Sequence, residues 1–300
     1  MCIHLFKNIG NMGVLSMKIH AIVMDVDGTL YNSQKKITKK TREILLQAQK
    51  KGILLIIASG RPTASLKDIV ERLQMDQHHG ILICYNGSKV IDSQTGQVLY
   101  EKAISIDEAR AVLEHMKKFD QIRPMIDHGD HLYVNNVYHN IIQVNGKDFN
   151  VMEYEARSGH FKLCEVDDLV DFIDFPVNKI LTTANPEYLQ RHYQEIIKPF
   201  ENTLNCMFTS DFYLEFTAKG IDKAHALDTV LKPLGYKPED LLAFGDGEND
   251  IAMLQYAGTS VAMANSAPKV KSIANYTTSS CDEDGIERFL RHKFSHLIEE

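Results

Sequence analysis

One short segment near the start of the chain constrains its fold more than any other feature. Residues 18–24 form a mainly apolar run that is followed at once by Asp25, Val26, Asp27 and Gly28. A buried strand that ends in acidic residues and a glycine is typical of an open α/β sheet, whose functional site lies at the carboxyl ends of its parallel strands. The segment therefore predicts a buried parallel strand with a functional site directly after it.

The order of strand and helix then repeats along the first part of the chain. Apolar side chains at helical spacing alternate with short apolar runs, one of which stops at Ser59 and Gly60. The predicted elements are a helix over 38–51, a strand over 53–58, a helix over 63–73 and a strand over 81–85. This order and spacing predict a parallel sheet with right-handed crossover connections.

The pattern changes between residues 88 and 216, where predicted strands come in adjacent pairs with short polar turns. The predicted elements are a helix over 107–119, strands over 121–127, 131–136 and 178–183, a helix over 186–197, and strands over 203–209 and 213–216. Adjacent strand pairs with accompanying helices are typical of an antiparallel α+β arrangement. We therefore predict an inserted α+β cap domain over residues 88–216.

The first pattern returns in the last part of the chain. A helix precedes a predicted strand over residues 241–244, which stops at an acidic, glycine-containing segment, residues 245–250. We therefore predict an α/β fold in which a Rossmann-like parallel-sheet core, built from residues 17–87 and 217–300, is interrupted by the α+β cap domain. Residues 1–16 lack a periodic apolar pattern, and we expect them to form a disordered extension.

The composition argues against several classes of protein. The formal net charge is −7, whereas binding to a nucleic-acid backbone depends on clustered Lys and Arg. The longest unbroken apolar run, residues 53–58, is far shorter than the roughly 20 residues that cross a bilayer. Five scattered cysteines without a CxxC pair indicate reduced thiols and a cytoplasmic location. We expect a small-molecule partner, and a chain that acts as a monomer or a homodimer.

Acidic residues follow two of the predicted parallel strands. Asp25 and Asp27 come after the first strand, and Asp246 and Asp250 come after a later one. Carboxylates that converge on one crevice repel each other strongly unless a cation lies among them. Oxygen ligands without His or Cys select a hard ion, and Mg²⁺ is the ion that this donor set favours. We therefore predict a Mg²⁺ site at this edge of the sheet.

A basic residue near these carboxylates completes the pattern. Mg²⁺ keeps several waters and takes a substrate phosphate as a further ligand, and a nearby lysine would offset the additional charge of a phosphoryl group. Two lysines are candidates, Lys219 at the end of a predicted strand and Lys223 at the start of a predicted helix. The residues thus predict a magnesium site that binds a phosphorylated small molecule, and they leave the choice of lysine open.

In their order and spacing, these residues resemble the four motifs of phosphatases of the haloacid dehalogenase superfamily. The motifs are Asp25-Val26-Asp27-Gly28-Thr29-Leu30, Ser59-Gly60, Lys223 and Gly245-Asp246-Gly247-Glu248-Asn249-Asp250. Asn86-Gly87 and the mid-chain insertion resemble the Cof-type sugar phosphatases, which carry an α/β cap of the C2B kind. The resemblance covers nearly the whole chain from Met17. It implies Mg²⁺-dependent hydrolysis of small phosphomonoesters, such as sugar phosphates, through an aspartyl-phosphate intermediate.

The resemblance also implies a role for each motif residue. Asp25 would be the nucleophile, and Asp27 would be the general acid that protonates the leaving oxygen and then the base that activates water. The implied metal ligands are Asp25, Asp27 through its backbone carbonyl, Asp246, and Asp250 as a direct ligand or a more distant partner. The implied phosphate-binding residues are Val26, Ser59, Gly60, Lys223 and Asn249. Family alignment favours Lys223 over Lys219, and capping of the following helix is an alternative role for Asp250.

Two other functions stay open at this point. A phosphohexomutase with the same kind of cap would need a second phosphate site there, and the basic residues of the cap are dispersed. A non-catalytic sensor of phosphorylated ligands would have no need of both Asp25 and Asp27. Within the cap, Tyr133 or Tyr138 could stack on a substrate, and the sequence does not choose between them.

Overall fold

Two sheets dominate the fold, one of eight strands and one of six. The structure is a computed structural model that describes residues 19–138, 140–144 and 146–297. The extension that the sequence predicts over residues 1–16 lies outside these described residues.

The described residues form sixteen strands and ten α-helices, besides short 3-10 turns. The strands are β1 (Ala21–Met24), β2 (Leu54–Ala58), β3 (Ile81–Cys84), β4 (Lys89–Asp92), β5 (Val98–Glu101), β6 (Arg123–His128), β7 (His131–Val134), β8 (Ile141–Val144), β9 (Lys147–Asn150), β10 (Lys162–Glu165), β11 (Ile180–Thr183), β12 (Leu204–Ser210), β13 (Tyr213–Ala218), β14 (Leu241–Gly245), β15 (Thr259–Ala262) and β16 (Tyr276–Thr277). The helices are α1 (Lys39–Lys50), α2 (Lys67–Leu73), α3 (Ile106–Met116), α4 (Val151–Ser158), α5 (Leu169–Phe172), α6 (Pro186–Ile197), α7 (Lys223–Leu231), α8 (Ile251–Tyr256), α9 (Pro268–Ile273) and α10 (Gly285–Lys293). None of these helices, within the described ranges, has the length and apolar character needed to span a membrane.

Local sequence sets the bounds of α1, the helix that connects the first two strands. The hydroxyl of Thr38 accepts a hydrogen bond from the backbone N–H of Thr41 and so caps the helix start. Ile44 and Leu45 are buried on the face that packs on the sheet. After the helix, Gly52 has a φ of +84°, a conformation that glycine adopts without strain, and the chain turns into β2.

The larger sheet has the strand order β16-β15-β14-β1-β2-β3-β4-β5, and the strands from β16 to β3 are parallel. Side chains of the central strand β1 alternate between the two faces. Ile22 and Met24 belong to a core that contains residues of α1 and α10, whereas Ala21 and Val23 belong to a core that contains residues of α7 and α8. Helices cover both faces, which explains why β1, β2, β3 and β14 contain no polar side chain. The predicted α/β fold with a Rossmann-like parallel-sheet core is confirmed.

The larger sheet also includes two strands from the segment predicted to be the insertion. β4 pairs antiparallel with β3, and β5 pairs antiparallel with β4, so residues 89–101 extend the edge of the parallel sheet. The predicted boundary at residue 88 is therefore wrong for these strands. The pattern of adjacent strand pairs was detected, but local pattern does not say which sheet a strand pair joins.

The smaller sheet has the order β10-β7-β6-β11-β13-β12 and is antiparallel except for the pair of β10 and β7. Residues of α3 and α6 pack on it in a separate hydrophobic core. A two-stranded sheet of β8 and β9 completes this α+β part of the chain.

Parallel pairing brings the predicted site residues to one edge of the larger sheet. Met24, the last residue of β1, is in register with Phe244 of β14 and Ile57 of β2. Because the three strands run in the same direction, the residues that follow them emerge at the same edge. Asp25 and Asp246 are therefore neighbours in space.

Candidate active site

Asp25 forms a buried ion pair with Lys223, the first residue of α7. Lys223 is fully buried, and its Nζ donates hydrogen bonds to Oδ1 of Asp25 and Oδ1 of Asp250, both at 2.6 Å. The close approach of α7 depends on Gly87, because a Cβ there would lie 2.3 Å from the carbonyl oxygen of Asp222. A buried ammonium needs such partners, so the lysine holds the two carboxylates in place.

The second candidate lysine lies elsewhere. Nζ of Lys219 donates hydrogen bonds to the backbone carbonyls of Glu201 and Leu204, at 2.7 and 3.4 Å. Of the two lysines that the residues alone left open, the structure brings Lys223 to Asp25.

Three carboxylates converge beside this lysine. Oxygen atoms of Asp25, Asp246 and Asp250 lie within 4.8 Å of one another. The turn after β1 approaches them closely, because a Cβ on Gly28 would lie 2.3 Å from Oδ2 of Asp246. The φ of Gly28 is +81°, which other residues rarely adopt. The hydroxyl of Thr29, in the same turn, donates a hydrogen bond of 2.8 Å to Oδ1 of Asp246.

Burial and mutual repulsion change the acidity of these groups. Burial and the charge of Asp250 raise the pKa of Asp25 to about 7, although Lys223 opposes the rise. Burial also raises the pKa of Asp246 to about 6, with a further contribution from Asp250. The pKa of Lys223 is raised, because its two carboxylate partners outweigh the effect of burial. One ammonium among three carboxylates leaves a negative site of hard oxygen donors, and this donor set fits a divalent cation such as Mg²⁺.

Asp250 differs from the other two carboxylates in its surroundings. Its Oδ1 accepts the hydrogen bond from Lys223, and its Oδ2 accepts hydrogen bonds from the backbone N–H groups of Asp246 and Gly247, both at 2.9 Å. Asp250 is fully buried. Both of its oxygens are engaged in holding the loop that carries Asp246.

The carboxylate of Asp27 is held by two cations. Nε and Nη2 of Arg61 donate hydrogen bonds to its two oxygens at 2.6 and 2.8 Å, and Nζ of Lys35 donates one at 2.5 Å. Burial would raise the pKa of Asp27, but Arg61 and Lys35 outweigh it and lower the pKa to about 2. Asp27 is therefore ionised and fixed in orientation.

Three of the predicted phosphate-binding residues line the same cleft as Asp25. Ser59 is buried, and its Oγ accepts a hydrogen bond of 3.1 Å from the N–H of Arg61. Nδ2 of Asn249 donates a hydrogen bond of 3.0 Å to Oδ1 of Asn86. Ser59, Gly60 and Asn249 line one cleft together with Asp25, Asp27 and Asp246. Val26 is fully buried between the two aspartates.

The cleft has a volume of about 650 Å³ and lies between the edge of the larger sheet and the smaller sheet. Lys179, Glu155 and Glu215 line its far side. Four aromatic residues also line that side, namely Phe149, Tyr154, Phe212 and Tyr213. Any molecule bound at Asp25 is therefore flanked by charged and aromatic side chains of the smaller sheet and its surroundings.

A family model described as haloacid dehalogenase-like hydrolase matches residues 22–290. The chain belongs to this family. A 5-amino-6-(5-phospho-D-ribitylamino)uracil phosphatase of Bacillus subtilis is 30% identical to it over 274 residues, covering 91% of this chain and 95% of the relative. The crystal structure of a haloacid dehalogenase-like hydrolase from Bacteroides thetaiotaomicron has a TM-score of 0.85 and 30% identity, covering 92% of this chain and all of that chain. The structure of a sugar phosphatase of subclass IIB has a TM-score of 0.71 and 26% identity, covering 93% of this chain and 99% of that chain.

These likenesses confirm the resemblance stated from the motifs. This haloacid dehalogenase-like hydrolase is an enzyme that acts on small phosphomonoesters.

Several cleft residues of this hydrolase were not predicted from its sequence. Arg61 follows Ser59-Gly60 directly, and that position was a signal that could have identified it. The tyrosines considered for stacking lie outside the cleft lining, since Tyr133 packs on Phe172 and Tyr138 is 80% exposed. The aromatic residues that line the cleft belong instead to α4 and to the β8–β9 and β12–β13 segments.

Proposed function

We propose that this hydrolase is a Mg²⁺-dependent phosphatase that acts through an aspartyl-phosphate on Asp25. The single observation that carries the proposal is the position of the Asp25 carboxylate, which lines the cleft while its Oδ1 is held by Lys223. A carboxylate fixed in this way can attack a phosphorus atom in line with the leaving oxygen, because its orientation is set before the substrate arrives.

In the first step, a bond forms between Asp25 and phosphorus while the bond from phosphorus to the leaving oxygen breaks. In the free enzyme Arg61 and Lys35 keep Asp27 ionised, so Asp27 must take up a proton from solvent once the substrate is bound. It donates this proton to the leaving oxygen, and in the second step it accepts a proton from the water that attacks the aspartyl-phosphate. A bound phosphoryl dianion attracts the same two cations, which raises the proton affinity of Asp27 when the substrate is present.

The carboxylates of Asp25 and Asp246 and the backbone carbonyl of Asp27 would hold Mg²⁺, with Asp250 fixing the loop of Asp246. The ion would neutralise charge on the phosphoryl group. Lys223, Ser59, the amides of Val26 and Gly60, and Asn249 would bind the phosphoryl oxygens as negative charge spreads over them. The donor set and the crowding of the carboxylates support these roles.

The names of the relatives support a small metabolite as substrate. One of them is a phosphatase of a ribitylaminouracil phosphate, and another is a sugar phosphatase. We infer that this chain hydrolyses sugar phosphates or similar phosphomonoesters in the cytoplasm. We further propose that residues 102–216, which follow β5 and include the smaller sheet, form the cap domain of the enzyme.

Hydrolysis of p-nitrophenyl phosphate tests the proposal, measured with Mg²⁺ and with EDTA on the wild type and on Asp25→Asn. We expect Mg²⁺-dependent release of phosphate by the wild type and its loss in the variant, with an unchanged circular dichroism spectrum. A variant that is folded and keeps the wild-type kcat would overturn the covalent mechanism. Unchanged wild-type activity in EDTA would overturn the metal requirement.

A further inference from the structure

An ion pair on the far side of the cleft has an unusual hydrogen-bond arrangement. Glu215 of β13 and Lys179, which precedes β11, both line the cleft and are 5% and 8% exposed. Nζ of Lys179 lies 3.0 Å from Oε1 of Glu215. Thr209 donates a second hydrogen bond, of 3.2 Å, to the same Oε1.

The other oxygen of Glu215 has no such partners. Its Oε2 is buried and accepts no hydrogen bond from any of the residues that the structure describes. A buried carboxylate oxygen without a donor is unfavourable, because it has lost its water and gained nothing in return. Since Glu215 lines the cleft, a bound molecule could bring a donor group to this carboxylate.

Lys179 has little capacity to attract an additional anion. It pairs with Glu215 and donates a weaker hydrogen bond, of 3.4 Å, to the carbonyl of Gly60. The charges of Glu155 and Asp127 also act on it. One buried ammonium thus lies among three carboxyl groups, so it has no spare positive charge for another anion.

The other cations that line the cleft are also engaged. Among the described residues these are Lys35 and Arg61, which form ion pairs with Asp27 and, in the proposed mechanism, also attract the phosphoryl group at Asp25. A second anionic group on the substrate would therefore meet Glu215 and Glu155 without a cation available to offset it. Like charges brought together in such a site lower the affinity by about a hundredfold or more.

We propose that Glu215 selects phosphomonoesters whose leaving group offers a hydrogen-bond donor, an ammonium or a hydroxyl, and rejects those that carry a second negative charge. This inference rests on the proposed function, because it places the phosphoryl group at Asp25. The contact of Lys179 with Gly60 puts Glu215 within reach of a small leaving group. The substrate class is then that of polyhydroxyl or amino-polyol phosphates. Bisphosphates are excluded, and with them a mutase that works through a hexose bisphosphate.

A series of three phosphates with the same six-carbon chain tests the proposal. They are 1-amino-1-deoxyglucitol 6-phosphate, glucitol 6-phosphate and 6-phosphogluconate, which end in an ammonium, a hydroxyl and a carboxylate. For the wild type we expect kcat/KM to fall by at least about tenfold from the hydroxyl to the carboxylate, mainly through KM, and to be highest for the ammonium. For any compound that is cleaved too slowly, its inhibition constant against p-nitrophenyl phosphate replaces KM.

The variant Glu215→Gln keeps the shape of the side chain and removes its charge, which also frees Lys179. For this variant we expect the ratio of kcat/KM for the carboxylate compound to kcat/KM for the hydroxyl compound to rise by at least about tenfold over the wild-type ratio. Glu43→Gln is the matched control, since Glu43 is an exposed residue of α1 outside the cleft lining, and its profile should equal that of the wild type.

The outcomes separate the inference from the function on which it rests. The inference alone is overturned if the wild type hydrolyses p-nitrophenyl phosphate but has the same kcat/KM for all three compounds. It is also overturned if the wild type hydrolyses p-nitrophenyl phosphate but binds none of the three compounds detectably. The wild-type series suffices for this conclusion even if Glu215→Gln does not fold. Absence of activity on every phosphate, including p-nitrophenyl phosphate, overturns the proposed function instead.

Discussion

Arg61 holds Asp27 with two hydrogen bonds, of 2.6 Å from Nε and 2.8 Å from Nη2. A guanidinium that binds both oxygens of a carboxylate fixes its plane as well as its position. In the proposed mechanism, this contact orients the group that protonates the leaving oxygen. Arg61 is therefore a positioning residue for Asp27.

Replacement of this guanidinium tests that role. Arg61→Lys keeps the charge and loses the two-fold contact, so we expect kcat for an alkyl phosphate, whose leaving oxygen needs a proton, to fall by about tenfold to a hundredfold. The effect on p-nitrophenyl phosphate, whose leaving group needs little protonation, should be much smaller. Arg42→Lys on α1 is the control. Equal losses on both substrates would contradict a role through Asp27.

Removal of the buried lysine should affect stability as well as activity. Lys223→Met leaves Asp25 and Asp250 buried without their cation, so we expect the free energy of unfolding to fall by about 3–5 kcal/mol. Lys219→Met, at an exposed site, should lower the free energy of unfolding by much less. Urea denaturation of the two variants measures the difference. Similar stabilities for both would show that the buried ion pair does not hold the site together.

The raised pKa values predict how the metal-free protein responds to pH. The folded state keeps protons on Asp25 and Asp246 up to pKa values of about 7 and 6, whereas the unfolded state loses them near 3.8. The folded state therefore binds more protons over this interval, and these two groups make the free energy of unfolding fall as pH rises from about 4 to 7. Mg²⁺ should offset that loss.

Melting temperatures in EDTA and in Mg²⁺ check this expectation. We expect Mg²⁺ to raise the melting temperature by a few degrees at about pH 8 and by clearly less at about pH 5, where protons compete for the same oxygens. Asp246→Asn should reduce the shift at the higher pH. A shift that is the same at both pH values, or unchanged in the variant, would contradict a metal site on these carboxylates.

Two glycines have nearly the same backbone conformation but different surroundings. Alanine substitutions at these positions therefore distinguish the effect of backbone strain from that of a close side-chain contact. Gly28 and Gly52 have φ values of +81° and +84°, but a Cβ would meet Asp246 only at Gly28 and nothing within 4 Å at Gly52. An alanine at either position should cost about 1–2 kcal/mol of stability. Only Gly28→Ala displaces Asp246, so only this variant should need more Mg²⁺, by at least about tenfold, for half-maximal activity. If both variants needed the same Mg²⁺ concentration for half-maximal activity, the proposed effect of the Gly28–Asp246 contact would be refuted.

The sequence predicts the parallel sheet and its active edge because wholly apolar strands followed by acidic residues have few alternative interpretations. It does not predict the attachment of β4 and β5, since the pairing of an edge hairpin depends on which edge is open. The choice between Lys219 and Lys223 needed the family alignment, because burial is a property of the folded chain.

The charged residues of the cleft were the least predictable part of the site. Arg61, Lys179 and Glu215 are distant from their partners in sequence, and Lys or Glu at such positions is usually a solvated surface residue. Only the fold brings them together, with Glu215 and Lys179 separated by 36 positions. The same holds for the aromatic residues around the cleft, which sequence reasoning placed at Tyr133 or Tyr138.

Trapping of a phosphorylated enzyme shows directly whether Asp25 is the nucleophile. The enzyme is mixed with a phosphate-labelled substrate and Mg²⁺, quenched with acid within a single turnover, digested, and the label is located by mass spectrometry. We predict a hydroxylamine-sensitive phosphate on the peptide that contains Asp25, formed and lost at rates compatible with kcat. Turnover without label above the level of Asp25→Asn, or with label on another residue, would contradict the account.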